Sequence, residues 1–174
     1  MNVRQSPIPA SSLAGRLDMP ARWFPHYGVK HLILAAGKPA LGYARDGIAE
    51  YLKRLTRYGN FELRHVKDGS SAEVSARLLD ASQDAYRIAL DERGESLTTA
   101  AWVARFDLME RRGDLKTVAF LIGASDGHTP ELRAQADEVW CLSSLTLQHE
   151  LALLILTEQL YRVRTIKRGE PYHR

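Results

Sequence analysis

From Val29 onward the chain alternates between two spacings of apolar residues. Val29 to Ala36 is a compact apolar run closed by Gly37, which predicts a buried strand. Leu41, Ala44, Ile48, Tyr51, Leu52 and Leu55 recur at helical spacing and predict a helix over 41–58. Phe61 to Val66 alternates as a strand does, and Ser70 and Ser71 can cap a helix reaching about Ala81, with Glu73 near its positive end. Tyr86 to Leu90 reads as a third strand. A helix from Ser96 or Thr98 to Met109 follows, stopped by Gly113. Thr117 to Ile122 is an almost wholly apolar fourth strand, and Pro130 opens a short helix to about Ala136. Val139 to Leu142 is a fifth strand, and a last helix runs from about Gln148 to Ile166.

Strands separated by helices predict an α/β fold in which a parallel sheet is covered by helices on both faces. Ligands of such sheets bind at the carboxyl ends of the strands, so the loops after Leu90, Ile122 and Leu142 hold the candidate site. In the last helix, Leu151, Leu153, Leu154, Ile155, Leu156 and Leu160 wrap most of the circumference. One sheet needs only a stripe, so a homodimer partner is expected to cover the rest.

At 174 residues and 45% hydrophobic, the chain suits one core, a single domain over 28–174. Residues 1–27 hold four prolines, scattered serines and no apolar centre of a secretory signal. They are expected to form a poorly ordered extension, or an over-long translation start with Met19 the true beginning. Cys141 is the only cysteine, which points to a reducing compartment, the cytoplasm, and to a buried small hydrophobe. No stretch nears the ~18 apolar residues of a membrane span. The net charge of +3 hides an asymmetry: residues 161–174 carry five basic side chains against Glu170, whereas 31–160 carry 15 basic against 19 acidic. A basic tail on an acidic body fits a phosphate-bearing partner, although cations also favour helix ends.

No GxxxxGK[ST], GxGxxG or GxSxG motif is present, and the histidines at 26, 31, 65, 128, 149 and 173 lack metal-ligand spacing. What remains is Gly123-Ala124-Ser125-Asp126-Gly127 after a buried strand, and Leu142 to Leu147 before the last helix. Two backbone-rich loops at one sheet edge suit a flat heterocycle with a polar tail; by themselves such loops are also ordinary turns.

Taken in order, Leu121-Ile122-Gly123 with Gly127, then Leu142-Ser143-Ser144-Leu145-Thr146-Leu147-Gln148-His149, then Glu158-Gln159-Leu160-Tyr161-Arg162 and the terminal Arg168-Gly169-Glu170-Pro171-Tyr172-His173-Arg174 resemble the RlmH family. These are small SPOUT-class methyltransferases of ribosomal RNA, and the resemblance covers residues 29–174. It implies a trefoil-knotted α/β fold, S-adenosyl-L-methionine as methyl donor and no metal. It further implies methylation of N3 of a pseudouridine in 23S rRNA of the assembled 70S ribosome. Residue by residue, it assigns the donor pocket to Leu90, Gly123, Leu142, Ser143, Ser144, Leu145, Thr146 and Leu147.

On the acceptor side, Glu158 and Arg162 stand four apart on one helix face and can pair. His173 is the one tail group that titrates near neutrality, and Tyr172 can stack on a base. Arg162, Arg164, Lys167, Arg168 and Arg174 can hold phosphates. The working expectation is that one subunit's tail closes over the other's donor. Three positions depart from the family pattern: Ala124 replaces a glycine, which a negative φ tolerates. Gln148 replaces a proline and should loosen the helix start, and Leu153 replaces an arginine, removing an RNA or dimer contact. The competing readings are a catalytically silent RNA-binding relative and a flavodoxin-like small-molecule binder.

Overall fold

The computed structural model describes residues 28–173; the expectations for 1–27 and Arg174 lie outside them. Ten elements follow in chain order: β1 (Lys30–Ala36), α1 (Gly42–Leu55), β2 (Phe61–Val66), α2 (Ser71–Ala81), β3 (Tyr86–Ser96), α3 (Thr99–Arg111), β4 (Thr117–Ile122), α4 (Pro130–Gln135), β5 (Glu138–Cys141) and α5 (His149–Lys167). The five strands form one all-parallel sheet in the order β2-β1-β4-β3-β5.

The apolar runs follow from burial on two sides. Along β1, Ile33 and Ala35 face a core shared with α1, α3 and α5, whereas Leu32, Leu34 and Ala36 face Val74 and Leu78 of α2 and Leu132 of α4. β4 divides likewise, with Phe120 on the first side and Ala119 and Leu121 on the second. Alternate side chains leave opposite faces of a strand, so a strand covered on both faces must be apolar throughout.

Ser70 is the N-cap of α2 and forms a capping box with Glu73. Thr98, rather than Ser96, caps α3, its side chain accepting from the Ala101 amide at 3.2 Å. Gln148 does not loosen α5. It is the N-cap, and its Oε1 accepts from the amides of Glu150 (2.9 Å) and Leu151 (3.2 Å). Leu153 is 2% exposed inside the core, so it sits at no RNA or dimer surface.

The main difference from expectation is β3. It does not end at Leu90 but continues to Ser96, and Trp140 of β5 pairs with both Leu90 and Glu95. Asp91 to Gly94 therefore leave the sheet and return to the same neighbour, a four-residue excursion in the manner of a bulge. Gly94 permits this: a Cβ there would lie 2.6 Å from the Trp140 carbonyl carbon and 2.7 Å from its nitrogen.

On α5, Leu153, Leu156, Leu160 and Val163 pack on the sheet, while Leu154 lies over Gly47 of α1. Leu151 and Ile155 remain half-buried, so the chain covers this helix only in part.

Candidate active site

An open cleft of about 390 Å³ lies at the carboxyl ends of β3, β4 and β5 and the start of α5. That is the place a parallel sheet offers a ligand, and the volume is that of a small-molecule site. Of the residues expected there, Leu90, Gly123, Leu142, Ser143, Leu145, Thr146 and Leu147 line it; Ser144 belongs to the same loop but is not part of the lining. Asp91, Glu92 and Arg93, on the loop expected after Leu90, line it as well. Pattern reading missed Gln148, His149 and Ala152, which bring α5 to the wall.

The loop after β4 is held closely. Gly127, at φ +75°, closes a turn in which its amide donates to the Ala124 carbonyl at 2.9 Å, and Ser71 Oγ donates to the Gly127 carbonyl at 2.8 Å. Ala124 is tolerated because no non-glycine residue among those described has a positive φ. A Cβ on Gly123 would stand 3.1 Å from the Gly127 carbonyl and from His128 Nδ1, so a larger residue there would push this turn outward by a few tenths of an ångström. His128 is buried, with Nε2 3.1 Å from the Leu121 carbonyl. Burial holds its imidazole below the ordinary value, in the neutral form. On the third loop, Ser143 Oγ accepts from the Leu145 amide at 3.0 Å, and the buried Cys141 thiol donates to the Ser143 carbonyl at 2.8 Å. Leu90, Ile122, Leu142, Leu145 and Leu147 supply apolar surface, with loop amides and carbonyls between them.

Four of the five residues expected on the acceptor side form one cluster; Arg174 lies outside the described residues. Arg162 Nε donates to Glu158 Oε1 at 3.0 Å, and Tyr172 OH donates to the same oxygen at 3.1 Å. The Tyr172 ring lies under the Arg162 guanidinium at 4.9 Å, and its hydroxyl is 3.2 Å from that of Tyr51. Burial, the Tyr51 contact and the Glu158 charge all raise the Tyr172 phenol, which therefore stays protonated. His173 Nδ1 accepts from Arg162 Nη1 at 3.3 Å, which places the neutral ring's proton on Nε2. None of these residues lines the cleft. Glu158 and Arg162 lie six and ten residues beyond Ala152, about 9 and 15 Å along the helix.

The charge reading needs correction. Arg164 is 5% exposed, ion-paired with Glu110 and in contact with His31, and Lys167 is paired with Asp107 and Glu110. Burial pushes the Glu110 carboxyl up, but the charges of Arg164 and Lys167 outweigh it and hold the group ionised. These two cations balance acids of α3 and are not available to phosphates. Arg168 lies over the Tyr58 ring at 4.5 Å and donates to the Arg57 carbonyl at 3.0 Å. No group of three or more potential metal ligands occurs among the described residues, and no helix there is long and apolar enough to cross a membrane.

A parallel sheet with a cleft of glycine-bearing and apolar loops at its carboxyl edge is the architecture of a ligand-binding α/β protein. The chain belongs to the SPOUT methyltransferase family, whose model, described as "Predicted SPOUT methyltransferase", matches residues 29–173. Among its curated relatives, a "Ribosomal RNA large subunit methyltransferase H" of Thermus thermophilus is 44% identical over 142 residues, 82% of this chain and 96% of the relative. The protein of the same name from Deinococcus radiodurans is 44% identical over 144 residues, covering 83% and 97%. The fold resembles that of the tRNA (m1G37) methyltransferase from Aquifex aeolicus at a TM-score of 0.50 and 14% identity, over 83% of this chain and 74% of that one.

Proposed function

We propose that this protein is a ribosomal RNA methyltransferase that takes its methyl group from S-adenosyl-L-methionine. The acceptor is N3 of a pseudouridine in 23S rRNA of the assembled 70S ribosome, in the cytoplasm. One knotted SPOUT domain over 28–174 carries the activity in a homodimer. Relatives named for large-subunit rRNA methylation at 43–45% identity support the reaction class. The single observation that carries the site is the cleft built by the loops after β3, β4 and β5.

The residues fit the donor. Leu90, Ile122, Leu142 and Leu147 would receive the adenine, and the main chain around Gly123 and Ser143 to Thr146 would hold the polar edges. The positive sulfur of the donor makes its methyl electrophilic without a metal. The protein must bring the attacking nitrogen to about 3 Å behind that carbon and take its proton. Glu158, Arg162, Tyr172 and His173 are the groups for that task. Their distance from the cleft of their own protomer supports delivery from the partner, with the half-buried Leu151 and Ile155 in the interface. Arg162 must release Nδ1 before His173 can accept a proton. Arg162, 26% exposed beside Glu158, and Arg168, over the Tyr58 ring, would exchange those contacts for RNA phosphates, together with Arg174.

Tritiated methyl transfer to 70S particles and to isolated subunits, followed by mapping of the modified base, tests this reading. Label at one pseudouridine of the large-subunit RNA is expected; label in free tRNA, or none in any ribosomal particle, would refute it.

A further inference from the structure

Two walls of the cleft come from segments far apart in sequence: the excursion Asp91–Gly94 and the turn Gly123–Gly127. Neither is held in place by sheet hydrogen bonds alone. The side chain of Asp91 is 3% exposed although it belongs to a polar loop at an open cleft. Its Oδ1 accepts from the Arg93 amide at 3.0 Å, and its Oδ2 accepts from Arg133 Nη1 at 3.2 Å. The same Nη1 donates to the His128 carbonyl at 2.5 Å, one residue past the glycine turn. His128 in turn reaches back to the Leu121 carbonyl at the end of β4. One guanidinium on α4 thus ties the first residue of one wall to the exit of the other.

We infer that Asp91 and Arg133 are a positioning pair that sets the spacing of the two donor-binding walls, and that Arg133 governs donor affinity without touching the donor. Arg133 is absent from the cleft lining, so its effect must pass through Asp91 and His128. The geometry favours a role beyond general stability. The ladder pins both ends of the excursion, pairing Leu90 and Glu95 with Trp140, and Arg133 is the cross-link that ties the Asp91 side chain between them to α4. Without Arg133, Asp91 keeps only the cation of its own loop, Arg93 at 3.4 Å, and a buried carboxylate short of a partner is disfavoured, so Asp91 would turn toward solvent and carry the wall with it.

This inference rests on the donor reading above, and its test separates the two. Calorimetry with S-adenosylhomocysteine is run on the wild type, Arg133→Ala, Arg133→Lys and Asp91→Asn, alongside amide exchange of the unliganded proteins. Arg133→Ala is expected to raise the dissociation constant by about tenfold or more. It should also raise KM for the donor while kcat at saturating donor stays within about twofold of wild type. Arg133→Lys should recover part of the affinity, and Asp91→Asn should match Arg133→Ala. Exchange should quicken at residues 91–94 and 123–127 and not across β1 or β4. Wild-type affinity in both Arg133→Ala and Asp91→Asn, or a loss of kcat with KM unchanged, would overturn the pair's role. Uniformly faster exchange would reduce it to ordinary stability. Absence of heat with the wild type would instead sink the donor assignment, and the exchange pattern would still decide whether the cross-link holds the walls.

Discussion

Arg164 Nη2 lies 3.3 Å from His31 Nε2 in the interior, between rings of Phe61 and Phe106 that also stack on the imidazole. The contact requires an unprotonated nitrogen. Burial first, and then the charges of Arg164 and Lys167, hold the His31 pKa well below its ordinary 6.5. Above that value neither folded nor unfolded chain is protonated, and the group costs nothing. As pH falls below 6.5 the unfolded chain takes up a proton that the folded one refuses, so stability declines. Urea unfolding of the wild type at pH 7.5 and 5.5 should show that loss. His31→Phe should lose less over the same interval, because the titrating group is gone while the stack is kept. His128, shifted the same way by burial, accounts for a remainder.

Glu138 is a second buried charge, and it is fully engaged. It accepts from Tyr86 OH at 2.7 Å and Trp140 Nε1 at 2.9 Å, and is ion-paired with Arg105. Glu138→Ala leaves the Arg105 guanidinium buried with only Glu95 as partner, and should cost about 3–5 kcal/mol in denaturant unfolding. Removing both charges in Arg105→Met with Glu138→Leu should cost less than the single change, since no orphaned ion remains.

Gly94→Ala tests the closed base of the β3 excursion. The added methyl meets main-chain atoms of Trp140, which cannot rotate away as a side chain could. A loss of about 1–3 kcal/mol is expected from overpacking, together with weaker donor binding as the wall shifts. Unchanged melting and calorimetry would show that β3 can part from β5 without cost.

Delivery of the tail in trans predicts complementation. His173→Ala and the cleft variant Gly123→Val should each be inactive at their own sites. Mixed after denaturation and refolding, they should regain roughly a quarter of wild-type transfer, because half of randomly formed dimers are hybrids with one intact site. No recovery from a refolded mixture whose wild-type control is active would place both groups on one chain.

The proposed phosphate contacts can be dissected by salt. Arg162→Ala should reduce the salt slope of ribosome binding by about one, the signature of one lost phosphate contact. Arg164→Ala should leave that slope alone and instead lower stability, since it strips the buried face of α5 of its partner to Glu110.

How much of this the residues announced depends on whether each interaction is local. The strands were legible because coverage on both faces forces unbroken apolar runs. The α2 start was legible because Ser70 and Glu73 answer each other three residues apart. The excursion at Asp91–Gly94 was not, because a polar run before glycine looks like any turn. Its return to the sheet is decided by Trp140, some fifty positions on. Arg164 and Lys167 were misassigned for the same reason: Asp107 and Glu110, which neutralise them, come from another helix. Gln148 was judged by what it replaces, yet its amide side chain reaches the two free N–H groups that a proline would have left for water. Most of the cleft-lining loops could be named in advance because they end strands, whereas the pairing of Arg133 with Asp91 needed the three-dimensional arrangement.

The close of α5 has a consequence of its own. Gly169, at φ +68°, reverses the chain while the amides of Gly169 and Glu170 return to the carbonyls of Ile166 and Thr165, a Schellman stop. Tyr58 donates to Glu170, and Tyr172 folds back to Glu158, fourteen residues earlier. Chain ends usually fray, and ordering four residues upon encounter would withdraw several kcal/mol from the affinity for RNA. Here that entropy is surrendered when the protein folds. The terminus should meet its target as a rigid prong, with a fast approach and little dependence of the on-rate on temperature beyond that of diffusion.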